Sequence, residues 1–150
     1  MFKINRKIEY ALIALRHMSR KQPGQLTSAK EICDIYFTPF DPTARVLQIM
    51  TQEGVLQAVQ GAHGGYLIVK DIAKISLQEL SSWIVGPIEI TNCFHGDSSH
   101  CGVTANCNII SPMLNLNQRL NKLFSEIVIT DLIDSKHQAE KNIRGKPVVV

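Results

Sequence analysis

No run of about 18 apolar residues occurs in this sequence, so no segment is suited to cross a bilayer as a helix. A signal peptide is missing too. The opening stretch MFKINRKIEYALIALRHM is broken by Glu9, Arg16 and His17, and no small-residue cleavage site follows it. A cytosolic protein with no membrane partner is expected. The sequence contains no tight C-x2-C knuckle of the kind structural zinc sites use, and neither of the common ferredoxin cysteine spacings. It shows no Ser/His/Asp set, no glycine loop opening a helix to hold phosphate, and no carboxylate pair in an evident cleft, which argues against an enzyme and leaves no catalytic residue to name. Internal repeats and low-complexity stretches are also absent. Charged residues are sparse, at 19%, against 45% apolar, so the chain can bury a core and is not a disordered tail. Its 150 residues suit one domain, or one domain with an extension.

What charge there is lies unevenly. Residues 1–74 carry ten lysines and arginines against six acids, and residues 75–150 carry six against seven. A basic front half suits a polyanionic partner. In that half, Ile8, Ala11, Leu12, Leu15 and Met18 recur at helical spacing and predict a helix over 5–20, ended by Pro23-Gly24. Ser28-x-x-Glu31 reads as a capping box opening a second helix, with Cys33 on its apolar side as a packing residue. Asp41-Pro42 reads as the N-cap and first position of a third helix, with Val46, Leu47 and Met50 inward and Thr43, Ala44, Arg45 and Gln48 outward. Two extended runs, 55–59 and 66–69, flank the turn QGAHGG and predict a hairpin. Ser76-x-x-Glu79 opens a fourth helix, stapled by Ile75 and Leu80, and Gly86-Pro87 stops it. Ser111-Pro112 opens a long helix in which Met113, Leu116, Leu120, Leu123 and Ile127 form a coiled-coil-like seam. A last short helix is expected from Thr130 to about Lys141.

Three helices followed by a hairpin is the order of a winged helix-turn-helix. In such a fold the third helix enters the major groove of double-stranded DNA and the hairpin forms the wing. Thr43, Arg45 and Gln48 are therefore candidate base-reading residues, since Arg suits guanine edges, Gln suits adenine, and Thr suits either base edges or phosphate. Gln60, His63, Gly64 and Gly65 are the candidate wing contacts, the glycines because a backbone without side chains can approach DNA closely. Lys3, Arg6, Lys7 and Lys70 are candidate phosphate contacts. The other reading of this half is an unrelated small α+β module.

Three of the four cysteines fall within CFHGDSSHCGVTANC, as Cys93, Cys101 and Cys107. Reducing cytosol disfavours disulfides, and clustered thiols there more often bind metal or do redox work. Thiolates are the soft donors iron–sulfur clusters require, and a polar loop can wrap one. An iron–sulfur cluster is expected ahead of zinc, either 2Fe-2S or 4Fe-4S. A fourth donor must come from elsewhere: His95, His100 and Asp97 lie in the loop, and Glu9 far from it in sequence. His17, His63 and His137 look like surface residues.

The segments INRKIEYALIAL, GAHGGYLI and ISLQEL, with three cysteines followed by a long helix, resemble the Rrf-two family of bacterial winged-helix regulators over roughly residues 2–133. The resemblance implies homodimers that pair through the long helix and bind palindromic promoter DNA. It implies that Cys93, Cys101 and Cys107 are the cluster ligands. Members differ in the fourth ligand; the position where one uses a histidine is Ile110 here, and the acid used by another aligns with Glu9. Glu9 is therefore the preferred fourth ligand, with His95 and His100 as rivals. The wing departs from the family pattern R-G-P-G-G-G-Y, because Gln60, Ala62 and His63 stand where Arg, Pro and Gly are usual.

The expected architecture is mainly α with a small β-hairpin wing. It comprises a winged helix-turn-helix domain at 1–86, a cluster-binding loop at 87–110, a dimerisation helix and C-terminal helix at 111–141, and a flexible tail at 142–150. The expected function is a transcriptional regulator, read as a repressor, gated by a cluster that senses iron, redox state or nitric oxide. Two alternatives stand beside it: a cluster-free relative acting through thiol oxidation or a protein partner, and a small metal or electron-transfer module that does not bind DNA.

Overall fold

The computed structural model describes residues 3–90, 102 and 106–134. Cys93, His95, Asp97, His100, Cys101 and the tail beyond residue 134 lie outside the described residues.

Helix α1 (Arg6–Ser19) starts where the Asn5 side chain accepts a hydrogen bond from the Lys7 N–H. It buries Ile8, Ala11, Ala14, Leu15 and Met18. Small residues at 11 and 14 let neighbouring helices come close, so α1 runs through the middle of the molecule. Helices α2 (Ala29–Tyr36), α3 (Phe40–Gln52), α4 (Leu77–Val85) and α6 (Ile129–Ile133) all pack on it. Helix α2 (Ala29–Tyr36) is capped by Ser28, whose hydroxyl accepts from the Glu31 N–H at 3.0 Å. The expected reciprocal half of that capping box does not form. Glu31 turns its carboxylate toward His17 and Lys21 at the α1 end instead, where the Lys21 ammonium makes a charge-assisted bond stronger than that of a neutral backbone N–H.

Helix α3 (Phe40–Gln52) begins two residues before the expected first position, Pro42. Pro39 is its extended N-cap, without a side-chain cap bond. Pro42 still falls in the first turn, where its missing N–H has no intrahelical partner to lose. α3 buries Val46, Leu47 and Met50 as expected. Each such fully buried aliphatic side chain contributes about 1.5–3 kcal/mol.

Strands β1 (Leu56–Val59) and β2 (Gly65–Ile68) pair antiparallel, with Leu56 opposite Ile68 and Val59 opposite Gly65. The other edge of β2 is also paired. Thr27, ahead of α2, exchanges both backbone hydrogen bonds with Tyr66, at 2.9 and 2.8 Å. This bridge ties the hairpin to the helix-turn-helix. A short 3-10 turn at Ile72–Lys74, capped by Asp71, leads to helix α4 (Leu77–Val85). Here the expected capping box is complete: Ser76 accepts from the Glu79 N–H, and the Ser76 N–H donates to the Glu79 carboxylate. Ile75 and Leu80 are both buried, as the staple requires. Gly86, with φ at +93°, ends α4 in a conformation that favours glycine.

Helix α5 (Ile110–Glu126) buries no residue, although it packs along α4. The chain then returns to the core. The Leu77 N–H donates to the Ile127 carbonyl at 2.8 Å, and the Ile129 N–H to the Ile75 carbonyl at 2.9 Å. Helix α6 (Ile129–Ile133) buries both its end residues. Among the described residues it stops at Ile133, short of the expected Lys141.

Candidate functional site

The helix-turn-helix pair α2–α3 sets the end of α3 that a DNA groove would meet. Arg45 and Gln48 are exposed on α3, as expected. Thr43 is not. It is 1% exposed, against the expectation that it faces outward. Its hydroxyl donates to the Pro39 carbonyl at 2.8 Å and lies 3.0 Å from the Thr38 hydroxyl, which is also buried. Position 43 stands three and four residues ahead of Val46 and Leu47 and seven ahead of Met50, so it shares their inward face of α3.

The wing tip exposes Gln60 and His63. Gly64 and Gly65 have a duty inside the protein. A Cβ on Gly64 would lie 2.3 Å from the Val59 carbonyl oxygen, and one on Gly65 would lie 2.8 Å from that of Thr27. Hairpin closure and the Thr27 bridge thus account for both glycines. Lys3, Arg6 and Lys7 are exposed where α1 begins. Lys70 instead sits over the Trp83 ring, 5.2 Å from its centroid, which gives this candidate phosphate contact a partner within the chain.

Two features escaped the sequence reading. His17 is not a free surface residue. Its Nε2 lies 2.8 Å from the Glu31 carboxylate and its Nδ1 lies 3.0 Å from the Tyr36 hydroxyl, so α1 is tied to both ends of α2. Burial pushes the Glu31 pKa up, but hydrogen bonds from Lys21 and His17 outweigh it and hold the pKa below the usual carboxylate value. The second feature is a group of exposed aromatics at the α2–α3 turn. Phe37 is 92% and Phe40 55% exposed, and Phe37 holds a left-handed backbone with φ at +54°. The run YFTPF ahead of Asp41 was the available signal, but its exposure depends on where α3 begins.

Of the expected ligands, Cys107 and Glu9 are described. Cys107 is a free, half-buried thiol three residues ahead of α5, and Glu9 is half-buried in the first turn of α1. Cys33 is also free and half-buried, with the Thr38 hydroxyl 3.6 Å from its sulfur, which fits the packing role expected of it. Among the described residues, no group of three metal-binding side chains converges. In its chemistry, a set of thiols with one carboxylate suits an iron–sulfur cluster. Among the described residues, no helix is long and apolar enough to cross a membrane.

The sequence model of the Rrf2 family, whose description reads "Iron-dependent Transcriptional regulator", matches residues 4–135. The chain belongs to this family. It is a transcriptional regulator of the winged-helix type, not an enzyme. It is similar to the HTH-type transcriptional regulator NsrR of Bacillus subtilis, with 22% identity across 96% of this chain and 99% of that one. Its fold matches the structure of CymR, the global cysteine regulator of B. subtilis, with a TM-score of 0.66 at 17% identity, covering 89% of this chain and 98% of that one. It also matches T. potens IscR, with a TM-score of 0.65 at 16% identity, covering 93% and 91%. The resemblance read from the start motif, the wing and the cysteine loop is therefore correct at the level of family and fold.

Proposed function

We propose that this Rrf2-family protein is a homodimer that binds palindromic promoter DNA with an affinity set by an iron–sulfur cluster on Cys93, Cys101 and Cys107, with Glu9 as the fourth ligand. The observation that carries the DNA half is the exposed Arg45 and Gln48 on α3, flanked by the exposed wing tip at Gln60 and His63. Arg suits guanine O6 and N7, and Gln suits adenine N6 and N7. Lys3 and Arg6 add positive charge for phosphates. Thr43 is withdrawn from the base-reading set because it is buried.

The dimer half is supported by α5. It is a 17-residue helix without a fully buried residue, and Leu116 and Leu123 of its seam are 42% and 50% exposed. An apolar row of that kind is stable in water when a second copy covers it. The cluster would supply a redox- and iron-dependent centre when bound. Cys107 adjoins the start of α5 and Glu9 sits on α1, the helix on which α3 packs. Ligation by both would link the pairing helix to the DNA-reading unit. Two half-sites must match one DNA turn, ~34 Å, so a small change in the tilt of the reading helices lowers affinity.

The test is purification without oxygen, followed by iron and sulfide analysis and gel shifts with and without the cluster. Coloured protein carrying both elements, with DNA affinity that changes on cluster loss, is the expected result. Colourless protein with stoichiometric zinc would reject the cluster. A second reading is a cluster-free regulator that acts through oxidation of its thiols. It predicts no iron and a DNA affinity that responds to peroxide.

A further inference from the structure

Phe40 is the first residue of α3 and is 55% exposed, at the helix end that enters a major groove. Residues four apart share a helix face, so Phe40, Ala44 and Gln48 form one row along α3. Phe40 and Gln48 are exposed and Ala44 is half-buried. The row is thus apolar, small apolar, then amide. Beside Phe40 stands Asp41, whose exposed side chain puts a negative charge in the first turn. A phenyl ring has nothing to donate to a phosphate, and a carboxylate repels one. This end of α3 is therefore unsuited to the DNA backbone and suited to base edges. The one apolar group that a base pair shows in the major groove is the thymine 5-methyl, and the amide of Gln is matched to adenine.

We infer that α3 reads A·T pairs, with Phe40 and Ala44 packing on thymine methyl groups and Gln48 bonding an adenine. This rests on the DNA-binding reading above and extends it from a surface to a base preference. Phe37, three residues ahead of Phe40 and 92% exposed, extends the apolar surface at the same turn.

The experiment uses the full chain to select duplexes from a randomised library. The strongest duplex is then remade with deoxyuridine in place of one thymidine at a time, which removes only the methyl group. Binding is followed by fluorescence anisotropy. Selected half-sites are expected to hold A·T pairs. At one or two thymidines per half-site, loss of the methyl weakens binding by the wild-type protein about fourfold, as expected for one methyl-sized group left in water. Phe40→Ala binds the thymidine duplex more weakly and no longer distinguishes uracil from thymine there, while Phe40→Leu keeps the distinction. The slope of affinity against salt stays the same in Phe40→Ala, because no ionic contact is lost.

Uniform tolerance of uracil by the wild-type protein, or equal sensitivity in Phe40→Ala, overturns the inference and leaves the DNA-binding reading standing. A Phe40→Ala protein that changes its sedimentation but not its DNA affinity would mark Phe40 as a protein contact, which also overturns it. A chain that selects no duplex overturns both.

Discussion

At the scale of single residues, Phe37 stores backbone strain, and Glu31 and Glu79 contribute through ionisation. Phe37 occupies the left-handed region, with φ at +54°, as the C-cap of α2. That region costs a residue with a Cβ about 1–2 kcal/mol, part of which glycine gives back as lost chain freedom. Phe37→Gly should therefore raise stability by roughly 0.5–1 kcal/mol, read as a shift in the urea midpoint at unchanged slope. Glu31 and Glu79 both sit below the usual carboxylate value of 4.5, Glu31 through Lys21 and His17 working against burial, and Glu79 chiefly through the Ser76 N–H. The folded protein thus holds these protons less tightly than the unfolded chain does. Their contribution is complete above the ordinary carboxylate range and is lost as pH falls through the lowered folded values. Stability should decline on acidification below about pH 4.5, and Glu31→Gln combined with Glu79→Gln should flatten that decline in thermal melts across pH. The Glu79 half was legible because Ser and Glu at cap spacing need nothing else. The Glu31 half was not, since its partners His17 and Lys21 lie ten or more residues away, on and just beyond α1.

Among the elements, the wing and α6 depend on contacts that no local pattern announces. Gly65→Ala should destabilise the hairpin, because its Cβ would meet the Thr27 carbonyl oxygen at 2.8 Å and a backbone bridge cannot move aside. Hydrogen exchange at Tyr66 and Thr27 should speed up in that variant while exchange in α4 stays slow. Ile129 of α6 is fully buried and its N–H donates to Ile75. Ile129→Ala should cost about 2–5 kcal/mol in chemical denaturation. The five long or capped helices were readable as periodic apolar runs with start and stop signals. The start of α3 lies two residues before the expected Pro42, because Asp-Pro is a strong local signal and Pro39 a weak one. The burial of Thr43 was legible in its spacing of three, four and seven residues from Val46, Leu47 and Met50, but its hydroxyl suggested an outward role.

For the whole molecule, the decisive feature is the row on α5 in which Leu116 and Leu123 stay exposed among the described residues. Leu116→Glu together with Leu123→Glu should turn a dimer into a monomer in sedimentation, with helical content retained and affinity for a palindromic site lost at least tenfold. Cys101→Ala should abolish iron binding. Glu9→Ala should alter the cluster's spectrum or its lifetime in air, and an unchanged spectrum would remove Glu9 as a ligand. Arg45→Ala should weaken binding to the selected duplex more than to random DNA, whereas equal losses would make it a phosphate contact.

Periodicity, caps and glycine placement were enough to establish the helix order, the hairpin, the family and the cysteine spacing, because each is a property of neighbours along the chain. Which side chains reach outward at the groove end of α3, why Gly64 and Gly65 are needed, and how His17 ties α1 to α2 were decided only when distant segments packed together. Burial and close approach are relations between residues far apart in sequence, and they take values only once the backbone has closed on itself.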